Sequence, residues 1–163
     1  MGILSAAIGL FSDGGVGQQE RLPECASNDG SEPKATILVI DDDPLLLLTV
    51  KTLLGKSGFN VLATPSSPKG LDMLRYAGSD IRVVLLDYNM PRLNGDQALT
   101  FVRQLNPNVK VIGLTAMNLD LLPKAYRVGV DKLLAKPVVA ADLLSAVNVL
   151  LGQGQTASSR IQS

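Results

Sequence analysis

Histidine is missing from all 163 residues, and that absence removes several functions at once. Without an imidazole the chain cannot build a His-based catalytic triad, hold zinc through histidine, or carry a phosphohistidine of its own. One cysteine, Cys25, is too few for an internal disulfide or a thiolate metal cluster, which fits a reducing, cytoplasmic setting. An excess of either charge is also lacking. Fifteen basic and fifteen acidic residues cancel with no block of like sign, so the expectation is no nucleic-acid footprint. Residues 3–11 are apolar but lack a basic start and fall far short of the roughly 20 residues that span a bilayer. The opening Met-Gly-Ile-Leu-Ser-Ala places Ala6 where a myristoylation signal needs Ser or Thr, so no membrane attachment is expected. What remains is the chemistry of carboxylates, hydroxyls and lysine.

Hydrophobic residues make up 46% of the chain, enough for one core of ordinary size. Residues 1–34 mix Gly, Ser, Gln, Asp and Pro without a sustained period and read as a flexible extension, although Ile3, Leu4, Ile8 and Leu10 could form a brief docking helix. From Ala35 the character changes. Residues 36–40 form a continuous, β-branched apolar run, the signature of a strand buried on both faces. Asp41-Asp42-Asp43 follows, and Pro44 opens a helix through Leu54 for which Asp43 is a good N-cap.

The same grammar then repeats. Residues 59–63 read as a short strand, and Ser67-Pro68 starts a helix that Gly78 ends. Residues 81–86 are a strand that delivers Asp87 into a Pro/Asn/Gly-rich turn. A helix from about Asp96 follows, with Ala98, Phe101, Val102 and Leu105 on one face. Residues 109–114 form the next strand, ending in Thr115-Ala116; Asp120 is expected to cap a short helix stopped by Gly129, with Pro123 tolerated in its first turn. Residues 133–135 are a last brief strand before Lys136-Pro137. An amphipathic helix with Leu143, Leu144, Val147, Leu150 and Leu151 and a polar tail at 153–163 complete the chain.

Five strand-helix units in strict alternation argue for an α/β fold, a doubly wound five-stranded parallel sheet with helices on both faces. In such sheets ligands sit outside the carboxyl ends of the strands. The marked polar residues all fall there: Asp41 and Asp42 after the first strand, Asp87 after the third, Thr115 after the fourth and Lys136 after the fifth. Each has a bland explanation alone, as a turn, a cap or a solvated lysine, but four strands ending in compatible chemistry form a constellation. Three carboxylates in one pocket repel one another unless a cation intervenes, and Mg²⁺ suits a site where one or two carboxylates bind and water fills the octahedron. A carboxylate nucleophile, a dication, an ammonium and a hydroxyl together suit phosphoryl transfer.

The motifs I-L-V-I-D-D-D-P, L-L-D-Y-N-M-P-R-L-N-G, G-L-T-A at 113–116 and A-K-P at 135–137 resemble those of the CheY-like response-regulator receiver domain of two-component signalling, over about residues 35–152. The resemblance implies the flavodoxin-like strand order 2-1-3-4-5. It matches Asp87 to the phosphoacceptor, Asp42 to a direct Mg²⁺ ligand, Asp41 to a ligand acting through water, and Asn89 to a ligand through its backbone carbonyl. Lys136 would pair with Asp87 and then with the phosphoryl group, its place set by a cis Lys136-Pro137 bond, and Thr115 matches the switch hydroxyl. Its partners would be a sensor histidine kinase or phosphotransfer protein on one side and a downstream protein target on the other. The chain would then be a phosphoacceptor signalling protein that promotes its own phosphotransfer and dephosphorylation, rather than an enzyme with a separate substrate. With only about eleven residues after the last helix, output is expected through protein contacts.

Two positions depart from the family pattern. Leu133 stands where an aromatic partner of the switch threonine is common, and Met117 lies where the family tunes water access to the aspartyl phosphate. Two other readings stay open: a haloacid-dehalogenase-like phosphatase using Asp41 and Asp43 as a D-x-D pair, and a pseudo-receiver scaffold that is never phosphorylated.

Overall fold

The apolar runs become strands of one sheet, the central ones buried on both faces and the last, at the sheet edge, only half-buried. In the computed structural model, which describes residues 33–153 other than 92, the strands are β1 (Thr36–Ile40), β2 (Asn60–Thr64), β3 (Ile81–Asp87), β4 (Lys110–Thr115) and β5 (Lys132–Ala135). Most of the expected N-terminal extension, with residues 3–11 and Cys25, and most of the polar tail lie outside the described residues. The sheet is wholly parallel in the order β2-β1-β3-β4-β5, as the sequence implied. Helices α1 (Pro44–Lys56), α2 (Ser67–Ala77), α3 (Gly95–Leu105) and α4 (Lys124–Gly129) supply the four crossovers, and α5 (Ala140–Leu150) follows the last strand.

Strand alternation divides the core in two. Leu38, Ile40, Val84, Leu86 and Val111 face α2, α3 and α4, where Leu74, Ala98, Leu99, Val102 and Tyr126 meet them. Ile37, Val39, Val83, Leu85, Ile112 and Leu114 face Val50 and Leu54 of α1 and Leu143, Ala146 and Val147 of α5 on the other side. Burying these aliphatic side chains contributes about 1.5–3 kcal/mol each. That anchoring fixes the polar strand ends that follow.

Local chemistry sets the helix boundaries. Asp43 caps α1 as expected, its carboxylate accepting from the backbone N–H groups of Leu45 and Leu46, with Pro44 in the first turn. Two expectations are corrected. Asp120 does not cap α4; it lies in a 3₁₀ turn, Leu119–Leu121, that Asn118 caps, and α4 begins only after Pro123. The cause is Pro123 itself, which pushes Leu122 into an extended conformation (φ −70°, ψ 142°) and so breaks the helix that Asp120 would have started. Phe101 is 46% exposed, because the inward stripe of α3 runs through Gly95, Ala98, Leu99 and Val102.

At the end of the sheet where β4 starts, Arg103 ties α3 to its neighbours, donating to the carbonyls of Val109 (2.6 Å) and Gly129 (2.9 Å) and to the Asp131 carboxylate (2.7 Å). Asp131 also accepts from the Val111 N–H at 2.8 Å and pairs with Lys110 at 3.4 Å. Partial burial works against its charge, but the hydrogen bonds from Arg103 and Val111 outweigh this and hold its pKa below the ordinary 3.8. A folded-state value below the unfolded one gives stability that is complete above the unfolded pKa and is lost as pH falls through the folded one. Asp131→Asn should therefore lower unfolding stability at pH 7 by about 1–2 kcal/mol. In urea titrations the gap from the unsubstituted protein should close as pH drops below about 4.

Candidate functional site

Asp87 is the last residue of β3, and its backbone is fixed on both sides. Val83, Val84, Leu85 and Leu86 are fully buried behind it. Ahead of it the Tyr88 N–H donates to the Leu114 carbonyl at 2.9 Å, carrying the ladder one residue past the acid. The loop closes when the Gly95 N–H returns to the Tyr88 carbonyl at 2.9 Å, and Asn94 caps α3 by accepting from the Gln97 N–H. Gly95 is required at this closure, because a β-carbon would lie 2.8 Å from the Tyr88 Cα. The Asp87 side chain is consequently held almost wholly out of water, at 2% exposure for the residue.

Asp41 leaves β1 beside it, fully buried, with Oδ1 accepting from the Asp43 N–H at 2.9 Å. β1 and β3 are the adjacent strands at which the order reverses, so the two acids lie at the switch point of the sheet. Lys136 follows the end of β5 and is joined to Pro137 by a cis peptide, as the sequence led one to expect. Its Nζ lies 2.7 Å from Asp41 Oδ2 and 3.0 Å from Asp87 Oδ1, bridging the two carboxylates. Asp42 is exposed at the rim, yet one ligand oxygen from each of Asp41, Asp42 and Asp87 falls within a 4.8 Å set.

The electrostatics follow from crowding. Burial raises the Asp87 pKa above 3.8 and the charge of Asp41 adds to this, while Lys136 and the backbone N–H of Asn89 act in the opposite sense. Burial penalises the Lys136 ammonium too, but its bonds to Asp41 and Asp87 prevail and its pKa is raised. Three carboxylates against one ammonium leave the cluster short of positive charge. All-oxygen donors at this spacing suit a hard dication rather than a soft metal.

Thr115 sits at the end of β4, one residue past Leu114, the register partner of Asp87. It is fully buried; its carbonyl accepts from the Lys136 N–H at 2.7 Å and its hydroxyl accepts from the Met117 N–H at 3.0 Å. The fold thus gathers Asp41, Asp42, Asp87 and Lys136 by direct proximity and sets Thr115 on the adjoining strand. Asn89 is exposed in the loop. Asp43 caps α1 through Oδ1, and the acidic set is formed by Asp41, Asp42 and Asp87 rather than by the Asp41–Asp43 pair of the D-x-D phosphatase reading.

One residue beside the site was missed from the sequence. Tyr126 of α4 is fully buried against β3, and its signal was Gly113, a glycine inside a strand that marks a close approach.

The sequence model of the response regulator receiver domain matches residues 37–148. The chain is 32% identical over 128 residues to a transcriptional regulatory protein CpxR homolog of Haemophilus influenzae, covering 78% of this chain and 55% of that protein. It is 35% identical over 126 residues to the transcriptional regulatory protein PrrA of Mycobacterium tuberculosis, covering 76% and 53%. The chain spans about half the length of these curated relatives. Among solved structures, a response regulator receiver domain protein from Clostridium thermocellum superposes with a TM-score of 0.68 at 38% identity, over 73% of this chain and 95% of that one. A CheY-like receiver domain protein from Methanospirillum hungatei gives a TM-score of 0.66 at 26% identity, over 74% and 96%.

The bridging lysine makes a testable claim about the metal-free protein. Lys136→Met removes the ammonium that lowers the Asp87 pKa and leaves burial, Asp41 and the Asn89 N–H in place. The Asp87 carboxyl carbon, followed by NMR, should then titrate at a higher pH than in the unsubstituted chain.

Proposed function

The chain belongs to the response regulator receiver family, and we propose that Asp87 is the carboxylate on which it accepts a phosphoryl group. One observation carries the reading: Lys136 bridges Asp41 and Asp87 at the carboxyl ends of neighbouring strands, with Asp42 beside them. An Asp87 oxygen attacks the phosphorus of a phosphohistidine or an acyl phosphate. The P–N or P–O bond to the donor breaks, the imidazole or carboxylate departs, and an aspartyl phosphate forms. Water later returns inorganic phosphate and the free carboxylate. Such chemistry is mostly in-line placement and neutralisation of charge on the phosphoryl oxygens.

Asp42, Asp87 and the backbone carbonyl of Asn89 would hold Mg²⁺, with Asp41 contributing through water. The ion supplies positive charge that three carboxylates need and that one ammonium does not provide. Lys136 orients the Asp87 oxygen in the free protein and then pairs with the phosphoryl group. Thr115 directs its hydroxyl to that group and biases a two-state surface around α4 and β5. The partners are a sensor histidine kinase or phosphotransfer protein and a downstream protein target, with output by protein contact rather than nucleic-acid binding.

Incubation with acetyl phosphate and Mg²⁺, read by intact mass, tests this directly. The chain should gain one phosphoryl group. Asp87→Asn should abolish the gain, and chelation of the metal should slow it by more than about tenfold. An addition that survives Asp87→Asn, or none at all in the unsubstituted chain, rejects the assignment. Labelling that depends on Asp41 or Asp43 instead, with turnover of phosphate esters, would favour a phosphatase.

A further inference from the structure

Tyr126 is the one buried side chain of helix α4, while its neighbours Lys124, Ala125, Arg127 and Val128 face solvent. The phenol is fully buried in an apolar cluster. A hydroxyl in such a place is costly unless it is bonded. Here it donates to the carbonyl oxygen of Leu86, 3.3 Å away, and Leu86 is the residue before Asp87. The ring packs edge-on against Tyr88, the residue after Asp87, with centroids 4.8 Å apart and planes at 60°. Tyr88 is itself pinned, its hydroxyl bonded to Asp96 at 3.1 Å.

Two glycines make room for this side chain. A β-carbon on Gly113 would lie 2.9 Å from the Tyr126 hydroxyl oxygen, and one on Gly95 would lie 3.1 Å from the ring. Burial, with the nearby charges of Asp87 and Asp96, raises the phenol pKa far above its ordinary value, so the group remains a neutral donor. One side chain from an otherwise exposed helix therefore touches the backbone immediately before Asp87 and the side chain immediately after it.

We propose that Tyr126 is a positioning residue for Asp87, fixing the Leu86 carbonyl and the Tyr88 ring so that the carboxylate is aimed along the line of phosphoryl transfer. The inference rests on the function proposed above. Tyr126 reaches neither donor nor metal ligand, so its loss acts on the rate of transfer and not on metal binding.

Tyr126→Phe keeps the ring and removes the bond. With acetyl phosphate as donor, its phosphorylation rate constant should fall about three- to tenfold, as expected for one neutral hydrogen bond. Its Mg²⁺ dissociation constant, read by calorimetry, should change by less than about twofold, a split that general destabilisation of the site would not give. Gly113→Ala crowds the same hydroxyl and should lose rate alike, and the double variant should lose no more than either single one. Should Tyr126→Phe fail to fold, Gly113→Ala decides by the same rate and metal-binding readings. A folded variant that is phosphorylated at the unsubstituted rate, or one that loses metal affinity in step with rate, overturns the inference while leaving Asp87 as acceptor. An unsubstituted chain that takes no phosphoryl group on Asp87 overturns the proposed function, and the inference with it.

Discussion

The sharing of one lysine ammonium between two buried carboxylates is the constraint on which the rest depends. Asp41 and Asp87 are almost wholly withdrawn from water and would repel each other there, and Lys136 stands 2.7 and 3.0 Å from them. Taking charges out of water is tolerable only when they are paired and further bonded. The backbone N–H groups of Asp43 and Asn89 supply the further bonds. The three residues come from β1, β3 and β5, so the arrangement exists only if strands far apart in sequence are laid side by side in one direction. The aliphatic runs that build the sheet thus have a second consequence: they deliver charge to a place where it is hard to hold.

Such a site is poised rather than relaxed. Lys136 compensates one negative charge, and the cluster contains three. An added dication or a transferred phosphoryl group changes that balance at atoms packed against the ends of β1 and β3. Residues joined to these ends by direct bonds feel the change first. Tyr126 is one, through Leu86 of β3, and Thr115 is joined instead to the backbone of the bridging Lys136 through its carbonyl.

Much of this was legible in the sequence because it is carried by local pattern. A continuous aliphatic run bounded by Asp, Thr-Ala or Lys-Pro says both that a strand is buried and where it ends, and Asp41, Asp87, Thr115 and Lys136 were found in that way. The cap at Asp43 was legible for the same reason, with its acceptor and Pro44 adjacent. What failed was what depends on packing across elements. Asp120 had the right residue type for a cap, but Pro123 controlled the backbone three residues later. Phe101 satisfied a helical period that the sheet did not use, because the small residues Gly95 and Ala98 let a different stripe approach. Tyr126 has no local pattern at all; it is explained only by Gly113, thirteen residues earlier, and by the carbonyl of Leu86 forty residues earlier.

Leu133 bears on how a change at Asp87 could reach the surface. It stands opposite Gly113 in β5, half-buried in the cluster that holds Tyr126, where the family commonly has an aromatic side chain. The aromatic volume beside Gly113 comes from α4 instead. A side chain at the rim can swing between inside and outside, but Tyr126 is fully buried, and vacating its place would leave a cavity of aromatic size at a cost of about 3–5 kcal/mol. Rotation of this ring is therefore a poor carrier of the signal. The side chains of α4 other than Tyr126 are already in solvent, while Arg103 holds its last carbonyl, that of Gly129, to α3.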